Sequence, residues 1–268
     1  MTSLSFPKQF SQAFLAEVLK NKRSPITWIT FLVFALAPLM GGLFMLILQH
    51  PEMMPQAGMM RNKAAAMSMT AEWNSMFIML TQSVGVGGVM MFGFVAAWLF
   101  GREYSDGTAK DLLALPVSRS AIISAKFLVY ALWCMALAVS NVLLGVGIGA
   151  VLQLPNWSAV GVLEYGSIYA GTVLLTMLVD MPIALFALWG KGYMAPLGFV
   201  VMTIVFSQII AAVGFGTYFP WAIPGLFSGA AGEMKAGLNV ASYTIVVMTG
   251  CIGYGTALWY WNVSDHVQ

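Results

Sequence analysis

Six long apolar runs constrain the fold of this chain more than any other feature of its sequence. A helix needs about 20 apolar residues to cross a hydrocarbon core of about 30 Å, and each run is about that long. The runs lack the two-residue alternation of barrel strands, so their backbone groups can pair only as helices. The sequence therefore predicts an all-α polytopic membrane protein, one transmembrane domain over residues 1–268. Its predicted spans are residues 27–48, 76–100, 127–151, 167–189, 194–213 and 240–261.

Composition supports a membrane protein and excludes several other classes. Hydrophobic residues make up 60% of the chain and charged residues 8%, whereas a soluble domain has about 25% charged residues. The net charge of +2 is too small to indicate a nucleic-acid partner. Cys134 and Cys251 both lie in apolar runs, where a thiol behaves as a small hydrophobe. We therefore expect no disulfide, no metal site and no cofactor bound by this chain.

The lysines and arginines predict the orientation of the spans. With a cytoplasmic N-terminus, nine of them lie on the inner side and three on the outer side. The inner set is Lys8, Lys20, Lys22, Arg23, Arg102, Lys110, Arg119, Lys126 and Lys191, and the outer set is Arg61, Lys63 and Lys235. Because positive loops stay in the cytoplasm, both termini are predicted to be cytoplasmic.

Residues 6–22 predict an amphipathic helix ahead of the first span. One side carries Phe6, Phe10, Phe14, Leu15 and Val18, and the other carries Gln9, Gln12, Glu17 and Lys20. Such a helix could lie in the inner interface of the lipid bilayer. An ordinary juxtamembrane helix without a function of its own is the alternative.

A polar segment between the second and third spans, residues 101–126, holds seven of the 22 formal charges. Asp106 and Gly107 are expected to end the second helix, and Thr108 to cap a short helix over 109–115 with Asp111 at its third position. Pro116 ends that helix, and Ser118 is expected to cap the next one. The third helix then carries Arg119 and Lys126 toward the membrane.

This short helix is predicted to expose Leu112, Leu113 and Leu115 in a cytoplasmic loop. Exposed leucines of this kind are usually covered by a partner. A solvated loop with ordinary helix caps is the alternative interpretation.

Four pieces of this segment resemble the corresponding loop of type-2 ABC transporter permeases. They are Arg102-Glu103, Gly107-Thr108, Leu112-Leu113-Ala114 and Pro116-Val117-Ser118-Arg119. The N-terminal helix, the six spans and the segment Tyr218 to Pro224 extend the likeness over nearly the whole chain, to the bacitracin-immunity and related small-permease branch.

The resemblance implies that the loop contains a coupling helix that docks on a separate ATPase subunit. Leu112 and Leu113 would supply buried contact, Glu103 and Arg119 would set the electrostatic register, and Gly107 would permit the chain reversal. Thr108 and Pro116 would bound the helix.

The resemblance also implies an assembly and a task. The chain has no G-x-x-x-x-G-K-[ST] phosphate loop, so ATP is expected on the partner and this chain is not expected to be an enzyme. A homodimer or pseudo-dimer of permeases would sit in a bacterial inner membrane above two ATPase subunits. The cargo would be a hydrophobic or amphipathic molecule, such as a peptide antibiotic or drug, and export would confer resistance or immunity.

Asp180 is the one formal charge well inside a predicted span, and an intramembrane acid is a functional candidate by default. It could handle substrate or protons, or it could be protonated and satisfied by a neighbouring helix. An ion-coupled secondary transporter that uses Asp180 is the alternative function. An intramembrane enzyme is excluded, because His50 and His266 lie outside the spans and one aspartate cannot form a two-aspartate site.

A methionine-rich outer loop, residues 50–74, could offer thioethers to Cu(I). Apolar packing explains it better, since methionine is abundant throughout the chain and neither cysteine nor paired histidine accompanies it.

Overall fold

A computed structural model describes residues 5–50, 69–109, 112, 117–230, 232–235 and 237–264. All regular structure in these residues is helical. The main helices are α1 (Phe6–Lys22), α2 (Pro25–Gln49), α3 (Trp73–Gln82), α4 (Gly88–Ser105), α5 (Arg119–Val151), α6 (Ala159–Asp180), α7 (Ile183–Trp189), α8 (Met194–Ala212), α9 (Ile223–Phe227) and α10 (Val240–Val263). A π-helix, Ser83–Gly87, joins α3 to α4.

Six helical stretches in this part of the chain are long and apolar enough to cross a membrane. They are α2, α3 to α4, α5, α6 to α7, α8 and α10, which we call spans 1 to 6. The predicted fold class is therefore confirmed. Spans 2, 3 and 4 begin earlier than predicted, at Trp73, Arg119 and Ala159.

Two of the spans are not regular α-helices. Span 2 contains the π-helix, in which the Gly88 N–H donates to the Ser83 carbonyl oxygen. Span 4 is interrupted after Asp180, because Pro182 has no N–H to continue the helical ladder and α7 begins one residue later.

The principal apolar core lies between spans 2, 3 and 4, with Trp261 of span 6 completing it. Large apolar side chains of spans 1, 5 and 6 remain exposed, among them Leu32, Ile209 and Ile252. Exposed apolar surface over whole helices suits contact with lipid rather than water.

Helix α1 packs across one end of the bundle, against α5. Its bounds are those predicted from the sequence, and Pro7 lies in its first turn. Its polar side faces the protein, since Glu17 and Asn21 are buried, while Leu15 and Leu19 are exposed. We call the end of the bundle that carries α1 the α1 end.

Candidate functional site

A buried group of charges joins α1, α4 and α5 at the α1 end. Its centre is Lys126, whose side chain is 1% exposed. The Lys126 Nζ lies 2.8 Å from Glu103 Oε1 and 3.2 Å from Glu17 Oε2, and it donates to the Leu99 carbonyl oxygen at 2.9 Å. One ammonium group therefore bridges carboxylates from two other helices.

Arg102 makes a second bridge between α4 and α1. Its guanidinium group donates to Glu17 Oε2 and to Asn21 Oδ1, each at 2.8 Å. The same group lies 4.7 Å from the ring centroid of Trp98, a distance suited to a cation–π interaction. Lys20, which is half exposed, closes the rim with bonds to Glu17 at 2.9 Å and Glu103 at 3.3 Å. We call Glu17, Lys20, Arg102, Glu103 and Lys126 the ion cluster.

The ion cluster holds two carboxylates among three cations. Burial alone would raise the pKa of Glu17, but the positive charges of Lys126, Lys20 and Arg102 outweigh it and lower that pKa to about 2. The carboxylate is thus ionised at neutral pH. Because removing one member of a buried ion pair leaves an uncompensated charge, the cluster fixes α1 against spans 2 and 3.

The depressed pKa of Glu17 predicts acid sensitivity. Its ordinary value is 4.5 and its folded value about 2, so its contribution to stability is complete above about pH 4.5 and is lost as the pH falls toward 2. We expect the thermal unfolding midpoint of the purified protein to fall over that interval. Glu17→Gln should have a lower midpoint at pH 7 and a shallower acid decline. Equal declines in both proteins would contradict a stabilising role for the ionised carboxylate.

The loop predicted to contain the coupling helix begins directly beside the ion cluster. Span 2 ends at Ser105, and the Thr108 N–H donates to the Glu103 carbonyl oxygen while the Gly107 N–H donates to that of Tyr104. This is the Schellman arrangement, and it needs the left-handed φ of +72° that Gly107 adopts. The predicted helix break and chain reversal at Gly107 are therefore present.

Two helical residues, Ala109 and Leu112, follow the reversal among those that the structure describes. The Leu112 N–H donates to the Thr108 carbonyl oxygen at 3.1 Å. The expected exposure of Leu112 is only partly met, because its side chain is half-buried against the main core of its own chain. Leu113 and Pro116, with Lys110, Asp111 and Leu115, lie outside the described residues.

The far side of the loop is tied to both the first and the last helix. The Ser118 hydroxyl caps α5, as predicted, by accepting from the Ala121 N–H. The Ser118 N–H donates to Gln9 Oε1 of α1 at 2.8 Å. Arg119 donates to the Asn262 and Ser264 carbonyl oxygens at 3.2 and 3.5 Å, groups at the C-terminal end of α10 that have no partner within the helix.

The two residues expected to set the electrostatic register of the docking, Glu103 and Arg119, thus contact their own chain. Glu103 is 4% exposed and belongs to the ion cluster, and Arg119 binds the end of α10. Sequence reasoning did not find Glu17, Lys126 and Asn21 as members of one site. The available signal was Lys126 itself, a cation that lies two turns inside a long apolar helix and therefore needs a buried partner.

Asp180 lies far along the sequence from this site, at the end of α6. Its side chain is 0% exposed, and neither carboxyl oxygen has a hydrogen bond within the described part of the chain. No hydrogen bond of ordinary geometry from a neighbouring segment is present, although the Trp221 indole lies close to this carboxyl group. In the same described residues no group of three His, Cys, Asp or Glu side chains could hold a metal ion.

Comparison with known proteins gives one family and one relative. The family model described as ABC-2 family transporter protein matches residues 13–209, which include the ion cluster, the loop and Asp180. A bacitracin transport permease protein of Bacillus licheniformis is 29% identical over 136 residues. That match covers 50% of this chain and 65% of the relative, so the similarity spans less than two thirds of that protein's length.

Proposed function

Because this chain belongs to the ABC-2 family of transporter proteins and is thus the membrane permease of an ABC transporter, we propose that it exports an amphipathic cargo with work supplied by a separate ATPase subunit. ATP would be bound by that subunit, since this chain has no phosphate-loop motif. The permease would act in a bacterial inner membrane with both termini in the cytoplasm, as its lysine and arginine distribution suggests.

The observation that carries this proposal is the anchoring of the loop between spans 2 and 3. Its first end leaves the ion cluster at Glu103, and its second end is fixed by Ser118 to α1 and by Arg119 to α10. A displacement of the loop by an ATPase would therefore reach spans 2, 3 and 6 together. Rigid-body motion of packed helices is a usual route from a local push to a change of access.

Leu113 is the proposed contact with the ATPase, and Gly107 and Thr108 would set where the docking turn begins. Leu112 would support the turn from the side of the permease, because it packs against the permease core. Glu103 and Arg119 would hold the loop in register from within the chain. A dimer of permeases above two ATPases would give the symmetric assembly that a transport pathway between subunits requires.

Cargo chemistry is inferred from two features. The relative is a bacitracin transport permease by name, and the spans of this chain present apolar surface along most of their length. A peptide antibiotic or another hydrophobic or amphipathic molecule would fit such surroundings, and its export would confer resistance or immunity. The family couples to an ATPase, so the ion-coupled secondary transporter is not retained as a function.

Docking is tested by co-purification of the tagged permease with its ABC ATPase subunit. Leu113→Asp should reduce recovery of the ATPase to background, because a charge would enter an apolar contact. Ser105→Asp adds the same charge at the exposed last residue of α4, just before the loop, and should leave recovery unchanged. Normal recovery with Leu113→Asp, in a permease that elutes as the wild type does, would refute the docking assignment.

A further inference from the structure

The break in span 4 contains a carboxyl group whose surroundings do not suit a permanent charge. Asp180 is the last residue of α6, and its side chain is completely buried within the described structure. An ionised aspartate is costly to insert into a membrane-spanning helix. Both carboxyl oxygens lack a hydrogen bond of ordinary geometry, and none of the described cations forms an ion pair with Asp180.

One donor stands next to this carboxyl group without binding it. The indole N–H of Trp221 lies close enough to act as a donor toward the Asp180 carboxyl group, but the contact falls outside ordinary hydrogen-bond geometry, and Trp221 Nε1 has no other partner in the described structure. A donor and an acceptor thus lie side by side, both unsatisfied. Buried polar groups are rarely left so, and a small movement of either residue would pair them.

The other neighbours do not replace that donor. The titratable side chains that interact with Asp180 are Tyr130 and Cys134 of span 3. The Tyr130 hydroxyl already donates to the Met177 carbonyl oxygen at 3.1 Å. Span 6 approaches the break through Gly250 and Gly253, which bring no polar side chain. Among the described residues, no cation is paired with Asp180.

Trp221 also lines a cavity that Asp180 itself does not line. It lies in the segment between spans 5 and 6, where its ring makes edge contacts with Phe199 and tilted contacts with Phe219. With Ser207 and Gln208 it lines a cavity of about 260 Å³. That volume is large enough for several water molecules, to which the two polar side chains could serve as hydrogen-bond partners.

We propose that Asp180 is a proton-binding site of the transport cycle. In the state described here the carboxyl group carries a proton. When it ionises, the proton passes to a water molecule in the cavity beside Trp221, and the remaining carboxylate accepts a hydrogen bond from Trp221 Nε1–H. Return of the proton from water breaks that bond. The ligand is thus a proton. When Asp180 is deprotonated, its hydrogen bond to Trp221 joins span 4 to the segment between spans 5 and 6, and when Asp180 is protonated this bond is absent.

Infrared spectroscopy of the full chain in lipid nanodiscs tests this directly. The protein is labelled with ¹³C at the aspartate side-chain carboxyl groups. The other three aspartates, Asp106, Asp111 and Asp265, lie outside the predicted spans, so Asp180 is the one labelled side-chain carboxyl group expected inside the membrane. We expect one label-sensitive carbonyl band of a protonated carboxylic acid, and we expect it to shift in D₂O.

Trp221→Phe separates proton binding from simple burial. It keeps an aromatic ring but removes the donor that stabilises the ionised intermediate, a bond worth about 1.5–3 kcal/mol to a charged group. The rate at which the carboxyl proton exchanges for deuterium, followed by the shift of the band, should therefore fall by about tenfold to a hundredfold. Trp259→Phe, at a position exposed along span 6, should exchange at the wild-type rate.

Three outcomes would overturn the proposal. The first is the absence of a label-sensitive acid band, which would mean that Asp180 is ionised. The second is a band that never shifts in D₂O, which would mean that the carboxyl proton of Asp180 does not exchange with solvent. The third is faster exchange in Trp221→Phe, which would mean that the indole blocks solvent access to Asp180 rather than donating a hydrogen bond to it. The labelled wild-type protein alone decides the first two, so the test does not depend on how a variant folds.

Discussion

Replacing Lys126 by methionine is expected to lower the free energy of unfolding by about 3–5 kcal/mol. Methionine keeps the length and the apolar stem of lysine but removes the ammonium group that bridges Glu17 and Glu103. Both carboxylates are almost fully buried, so Glu103 loses its nearest cation and Glu17 loses one of three while both remain desolvated. Equilibrium unfolding in mixed micelles containing SDS measures the effect, and co-purified ATPase activity measures its consequence for coupling.

Lys22→Met is the matched control, since Lys22 is exposed at the end of α1 and surface changes usually stay within about 0.5 kcal/mol. Adding Glu103→Gln to Lys126→Met should recover part of the loss, because the uncompensated charge is then removed. If Lys126→Met and Lys22→Met unfold at the same SDS concentration, the ion cluster does not hold α1 to the bundle.

The second large effect is expected at Gly101, the residue before Arg102 of the ion cluster. A Cβ atom there would lie 2.6 Å from the carbonyl carbon and 2.7 Å from the carbonyl oxygen of Gly192. These are backbone atoms of the connection between spans 4 and 5 and cannot rotate away. Gly101→Ala should therefore cost about 1–3 kcal/mol or more, measured by unfolding in the same mixed micelles.

Gly147→Ala provides the contrast within the same fold. It lies in α5, where an added Cβ would meet nothing within 4 Å. Because alanine favours a helix over glycine by up to about 1 kcal/mol, this variant should be neutral or more stable than the wild type. Equal behaviour of the two alanine variants would show that the contact between span 2 and the 4–5 connection is looser than described.

The spans were predictable because a single physical requirement, the length of an apolar run, determines them. Local caps were predictable for the same kind of reason, as Gly107 and Ser118 show. The cap at Ser118 also predicts that the third helix begins at Arg119, and it does. Local pattern does not predict that Lys126 lies inside the bundle, where Glu17 and Glu103 compensate its charge.

The ion cluster itself could not be predicted from local pattern. Glu17 and Lys126 are 109 residues apart, and the periodicity of neither helix indicates which residue of the other helix it contacts. The same holds for Asp180 and Trp221, which belong to different spans and segments. Pro182 signalled a disturbance in span 4, but only the packed structure identifies the donor beside the break.

The π-helix at Ser83–Gly87 divides span 2 into two segments with separate rotational phases. A π-turn accommodates an extra residue, and one residue corresponds to about 100° around an α-helix. The side chains of α3 are therefore aimed independently of those of α4, which hold Arg102 and Glu103 in the ion cluster. Sequence changes in α3 can therefore re-orient the side chains at the end of the bundle opposite α1. The orientation of α4, which carries Arg102 and Glu103 of the ion cluster, is then unchanged.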